Sequence, residues 1–180
     1  WRNHGLTRCW MRVPGHWWIS WTTAGKMAVT TLPTAAHKAV SQTLYTRDIL
    51  RLAVAIPHLH RLPSPDGSAE RRSPVCGSRI IVDVCLDEAR QVADLGQEVH
   101  ACALGQASAA LMGAGALGKT LADVTATRDA LAAYLSGAGE TPGDWPGLDI
   151  FAAARAHLGR HGAILLPFDA LVTAMTEAKP

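Results

Sequence analysis

The sequence predicts an α+β domain: a small antiparallel sheet with helices packed on one face. Three observations carry this reading. A β-branched run, SRIIVDVCLDE, is followed across an acidic turn at Asp87-Glu88 by a second extended stretch, RQVADLGQEVHAC. Ala- and Leu-rich segments of high helical propensity then fill most of the remaining chain. The order is one helix, then strands, then several helices, which groups the helices instead of alternating them with strands.

With 180 residues, 48% of them hydrophobic, the chain is long and apolar enough for one domain with a core. No run reaches the roughly 18 apolar residues of a membrane span, and none is expected. The net charge of +2 comes from one end. Of the 17 Lys and Arg, Arg2, Arg8, Arg12 and Lys26 lie in the first 26 residues, which hold no acid; 13 remain against 15 Asp and Glu. The body is therefore mildly acidic and has no basic footprint for nucleic acid.

Residues 1–26 read as a leader outside the fold. They hold five of the six tryptophans, are Arg-rich and acid-poor as a transit peptide would be, and supply the continuous apolar centre of a secretory signal poorly. Met27 is read as the true start, Cys9 is set aside with the leader, and residues 27–44 are expected to be a flexible segment ahead of a domain spanning 45–178. In LYTRDILRLAVAI, Tyr45, Ile49, Leu52 and Ile56 recur on one helical face, and Pro57 ends the pattern. HLHRLPSPDGSAERRSPVCG reads as loop. The two strands follow, then helices over LGQASAALMGAGAL, LADVTATRDALAAYLSG and LDIFAAARAHLG. A last helix covers GAILLPFDALVTAMTEA, with Pro167 near its first turns.

The string GAGALGKT at 113–120 fits both a phosphate-binding loop and a dinucleotide fingerprint. Either would need a buried strand directly before Gly113, and GQASAALM reads as helix. The string suits a helix–helix junction better. Gly118 would take a left-handed conformation, Thr120 would cap the next helix with Asp123 as its capping-box partner, and Lys119 would be a solvated turn lysine.

Cysteine positions carry more chemistry. Cys76 sits in a tight turn entering the first strand, and Cys102 where the second strand passes into a helix. The unpaired amides of a helix N-terminus favour the thiolate form of a cysteine placed there. Two thiols at neighbouring strand ends would make a soft-metal site. Cys85, in VDVCLD, reads as a small buried strand hydrophobe. His58 and His60 alternate in a loop and read as solvated. His100 shares the face of Cys102 if the strand continues, and reads as a sheet-surface residue. Asp83 is expected on the outward face of a half-covered sheet. No G-x-S-x-G elbow is present. A Cys/His enzyme would use Cys102 as nucleophile with His100 or His161 as base.

The stretches LYTRDILRLA, PVCGS, VADLGQEVHACALGQASAAL, LGKTLADV and RHGAILLPFDAL, from about Tyr45 to about Met175, resemble the iron–sulfur cluster assembly scaffolds, the IscU-like or NifU N-terminal domain family. The resemblance implies an IscU/SufE-like architecture and a non-enzymatic, cytoplasmic role: holding an iron–sulfur cluster, [2Fe–2S] in type, for transfer to recipient apo-proteins. A cysteine desulfurase would supply the sulfide. It implies Cys76 and Cys102 as thiolate ligands and His161 as a third. The family's Asp after Cys-Gly is Ser78 here, a poor substitute ligand, and its third cysteine is Gly162. The fourth ligand would then come from water, a small thiol or the second subunit of a homodimer. The same donors would hold zinc with one position open. The competing reading is a degenerate homologue acting as a zinc-binding or protein-interaction module.

Overall fold

The computed structural model describes residues 19–20, 28–29, 44–75 and 77–179. The chain divides into two units, at residues 1–40 and 41–180. In the first, the described residues are a short antiparallel pair, β1 (Ile19–Ser20) and β2 (Ala28–Val29). The rest of the leader and of the segment expected to be flexible lies outside the described residues, apart from Leu44, which is buried in the core of the second unit.

The second unit opens with α1 (Arg47–Ala53), capped by the Thr46 hydroxyl accepting from the Ile49 amide at 3.3 Å. The helix is shorter than the Tyr45–Ile56 pattern. Tyr45 and Ile56 pack against the core from outside it: Tyr45 precedes the Thr46 cap, and the ring of Pro57 disfavours helical backbone at Ile56. Three strands form one antiparallel sheet in the order β3 (Gly67–Arg72), β4 (Arg79–Leu86), β5 (Val92–His100). β4 and β5 are the expected pair. β3 corrects the loop expectation. GSAERR has no β-branched or aromatic residue, so only its pairing from Gly67↔Val84 to Arg72↔Arg79 makes it a strand.

The helices are α2 (Ala103–Gly115), α3 (Leu121–Ser136), a 3₁₀ helix (Leu148–Ala156) and α4 (Leu158–Glu177). Ile80, Val82 and Val84 of β4 and Leu95 of β5 meet Leu104, Met112, Phe151, Ile164, Phe168 and Leu171 in one core. LDIFAAARA is a 3₁₀ and not an α-helix. Its buried residues Leu148, Phe151 and Ala154 fall every third position, the period of the tighter helix. α4 starts earlier than expected, so Pro167 lies in its middle and not in its first turns. Among the described residues no helix is long and apolar enough to cross a membrane.

The second face of the sheet also departs from expectation. Asp83 does face away from the helices, but its side chain is fully buried. The segment after His58 crosses that face. Arg61 grips Asp83 with two bonds, at 2.6 and 2.9 Å, while the Ser68 hydroxyl and the Leu62 amide donate to the same carboxylate at 2.6 and 3.0 Å. Burial alone would push the Asp83 carboxyl up; the bonds from Arg61, Ser68 and Leu62 outweigh it and hold the group below its ordinary range.

GAGALGKT is a helix end and a turn. Gly115 closes α2 beneath the Trp145 ring, where a Cβ would lie 2.8 Å from the indole. Gly118 has φ +74°, and Thr120 and Asp123 form the capping box of α3. Lys119 is not simply solvated: its ammonium lies 5.8 Å from the centre of the Trp145 ring. The string follows a helix, and a helix C-terminus presents carbonyls, the wrong partners for phosphate.

Candidate metal centre

Strand register brings the cysteine-bearing segments to one end of the sheet. Arg72 pairs with Arg79, and Arg79 with His100, so the loop between β3 and β4 lies beside the exit of β5. The loop is tight. The Ser73 amide donates to the Ser78 carbonyl at 2.8 Å, and the Gly77 amide to the Ser73 carbonyl at 3.0 Å. Gly77 takes φ +69°. Ser73 and Ser78 are buried, and Val75 is exposed. Cys76 itself lies outside the described residues.

Cys102 is the N-cap residue of α2, in extended backbone with φ −65° and ψ 165°. Its thiol makes no capping bond to the helix amides and is half-buried, so the sulfur is free to bind something else.

α4 completes the end of the sheet, and small residues set its position. A Cβ on Gly105 of α2 would lie 3.2 Å from the Ala163 carbonyl oxygen and 2.8 Å from the Ala101 Cβ, so the two helices meet backbone to backbone. Pro167 has no N–H to offer that Ala163 carbonyl. One turn along, the Ser108 hydroxyl donates to the Ile164 carbonyl. This docking carries the first turns of α4 to the β3–β4 loop: a Cβ on Gly162 would have Ser73 Oγ as its nearest neighbour, at 3.8 Å.

His161 is half-buried, with ring Nε2 at 2.9 Å from the Ala154 carbonyl oxygen. A carbonyl only accepts, so Nε2 carries the proton, and the neutral ring has its lone pair on Nδ1. Metal-binding histidines are commonly oriented through their second nitrogen in this way. Among the described residues, no three His, Cys, Asp or Glu side chains gather into a set that could hold a metal ion.

The remaining candidates lie elsewhere. Cys85 is half-buried, not fully buried, on the loop-covered face, with its sulfur 3.7 Å from the Ser64 carbonyl. His60 is exposed, and His58 (φ 54°) uses its carbonyl to accept the Gln97 amide at the edge of β5. His100 is exposed and holds Glu98 at 3.1 Å.

Sequence reasoning missed the clamp at the base of the cysteine loop. Arg79 reaches Glu98 at 2.6 Å and Glu70 at 3.1 Å, tying all three strands where the loop leaves them. The bond from Arg72, then that from Arg79, lowers the Glu70 carboxyl; Arg79 and then His100 do the same for Glu98. The signal was available only after β3 was recognised, because Glu70 pairs with Ile81 on that strand.

The β3–β4 loop, the N-terminus of α2 and the first turns of α4 lie at one end of a three-stranded antiparallel sheet in an α+β fold. The chain is 31% identical to a nitrogen-fixing NifU-like protein (N-terminal) from Brucella abortus, over 77% of this chain and 96% of that one, with a TM-score of 0.73. It belongs to the NifU-like N-terminal domain family, whose members include iron–sulfur cluster scaffolds. A candidate iron–sulfur cluster assembly scaffold of the SUF system from Fervidobacterium islandicum has the same fold, at 21% identity over 75% of this chain and 98% of that one, with a TM-score of 0.68. A hypothetical protein shares it at 21% identity over 74% and 97%, with a TM-score of 0.66. No protein-family model matches the chain, and no curated protein does so.

Proposed function

We propose that this protein is an iron–sulfur cluster assembly scaffold that holds a [2Fe–2S] cluster as cargo and passes it to recipient apo-proteins in the cytoplasm. The observation that supports it most is the meeting of the β3–β4 loop, the Cys102 cap and the start of α4 in a NifU-like fold. Cysteine thiolates are the donors that hold iron–sulfur clusters, and Cys102 has no competing bond to the helix it caps. In this reading Cys102 and Cys76 are thiolate ligands and His161 binds through Nδ1. Ser78, whose carbonyl closes the loop, acts as support rather than as a strong ligand. Sulfide comes from a cysteine desulfurase. Family membership favours this reading over a degenerate zinc-binding homologue.

The full chain, loaded anaerobically with ferrous iron and sulfide, is expected to retain iron and acid-labile sulfide in equal amounts with a visible charge-transfer spectrum. Cys102→Ser is expected to lose both. Retention of zinc alone, or of no metal, would overturn the assignment.

A further inference from the structure

We propose that the outer edge of β3 is a docking surface for an extended peptide segment carrying two adjacent acidic residues, which adds to the sheet as a further strand. The sheet order is β3-β4-β5, so β3 pairs with β4 on one side and with no strand on the other. The bond from the Ser73 amide to the Ser78 carbonyl sets the phase of the ladder. In that phase Gly67, Ala69 and Arg71 turn their amides and carbonyls toward β4, and Ser68, Glu70 and Arg72 turn theirs outward. Among the described residues those outward backbone groups have no backbone partner. The edge is reachable, since Ser68, Glu70, Arg71 and Arg72 are all exposed. Extended chain already joins it just before β3, where the Lys179 amide donates to the Asp66 carbonyl at 3.0 Å.

Charge selects the partner. Successive side chains of a strand fall on opposite faces, which puts Arg71 on the helix side of the sheet and Arg72 on the other. Arg71 donates to the Thr173 hydroxyl at 2.6 Å, and Asp169, the carboxylate it acts on through space, is already held by Arg128 at 3.4 Å. Glu70, the one acid of the strand, is committed to Arg72 at 2.6 Å and to Arg79 at 3.1 Å. Each face of the edge therefore offers a guanidinium to an incoming strand, and two neighbouring acidic residues would meet one each. A second copy of β3 fits worse. Antiparallel pairing centred on Arg71 sets Arg71 against Arg71, and pairing centred on Glu70 sets Glu70 against Glu70, like charges directly opposite. Charged edge residues keep a strand from its own copies, and here they leave it open to a chain of opposite sign. Arg72 leads into the β3–β4 loop, so the added strand lies beside that loop.

The test titrates the full chain, at low and at physiological salt, with a capped, labelled hexapeptide of two central glutamates between valine–threonine flanks, and with its counterpart of two central lysines. Fluorescence anisotropy reports affinity, and amide hydrogen exchange by NMR reports which backbone groups become protected. The glutamate peptide is expected to bind about 10-fold more tightly at low salt, the size of two exposed ion pairs set against two like-charge contacts. The difference should shrink as salt is raised. Protection should rise at the amides of Ser68, Glu70 and Arg72 and stay level at Ala69 and Arg71, which already bond to β4. Glu70→Pro deletes one outward amide, keeps the ladder to β4 and makes the edge more basic, yet it is expected to lose the peptide. Should that variant not fold, the protection pattern of wild type decides. No binding of the glutamate peptide, an affinity indifferent to peptide charge, protection away from the outward amides, or a folded Glu70→Pro variant that binds as wild type does would overturn the proposal. Protection of the outward amides that grows with protein concentration and needs no peptide would assign the edge to a second copy and overturn it as well.

Discussion

Asp83 shows what one residue does in this fold. Its carboxylate is fully buried and holds the segment after His58 against the sheet through Arg61, which stays 46% exposed. Asp83→Asn is expected to destabilise the protein by about 3 kcal/mol in a denaturant melt, the low end for breaking a buried pair, because the freed Arg61 can return to water. The pH dependence follows from the lowered carboxyl. A group with a depressed folded pKa stabilises the fold above its unfolded value, about 3.9, and that stability is lost as pH falls through the folded value. Wild type should therefore lose stability steeply below about pH 4, and Asp83→Asn less steeply. Gly115 makes a second residue-level case. Trp145 is fixed by its bond to the Leu111 carbonyl at 2.9 Å and by its edge contact with Phe168. Gly115→Ala should cost about 1–3 kcal/mol by overpacking, whereas Lys119→Ala, at a solvent-accessible turn, should leave the fold intact. If the string bound a nucleotide, the Lys119 variant would lose a ligand-induced shift in melting temperature; none is expected in wild type or variant.

At the scale of elements, the decisive contact is between α2 and α4. Ser108→Ala removes the hydroxyl that meets the Ile164 carbonyl and should cost about 0.5–1.5 kcal/mol, the net value of one hydrogen bond, because that carbonyl keeps its place in the α4 ladder. Gly105→Leu should do more to the site than to the rest of the fold. It pushes the start of α4 away from Cys102, so iron retention should fall while β-sheet circular dichroism persists. The elements were unevenly legible in the sequence. β4 and β5 announced themselves through β-branched residues and an acidic turn, and the α3 capping box through Thr120 and Asp123. β3 was silent because its residues have no strand propensity of their own. The 3₁₀ helix was legible in principle, in the three-residue spacing of Leu148, Phe151 and Ala154, but Ala-rich composition spoke for α-helix. The placement of Cys102 at a helix N-terminus was readable locally. The approach of Gly162 to Ser73 was not, since it depends on a packing contact between residues far apart in the chain.

At the scale of the molecule, residues 41–180 form a unit with its own core, and they are expected to fold alone. A fragment beginning at residue 41 should show a cooperative thermal transition within a few degrees of the full chain; a broad, non-cooperative melt would mean that the first unit is needed. The β3–β4 loop and the start of α4 lie at one end of that unit with Val75 and Leu158 exposed, an arrangement that would suit release of a cluster in the proposed reading. Transfer is therefore the measurement that tests the central claim most directly. The full chain loaded with cluster is mixed anaerobically with an apo-ferredoxin of the [2Fe–2S] type, and visible circular dichroism follows the ferredoxin cluster as it forms. The account predicts that the ferredoxin signal rises as the donor signal falls, faster than from equal amounts of free iron and sulfide, and that Cys102→Ser gives no more than the free-ion rate. A loaded protein that keeps its cluster in the presence of the acceptor, or that supplies it no faster than free iron and sulfide, would contradict the account.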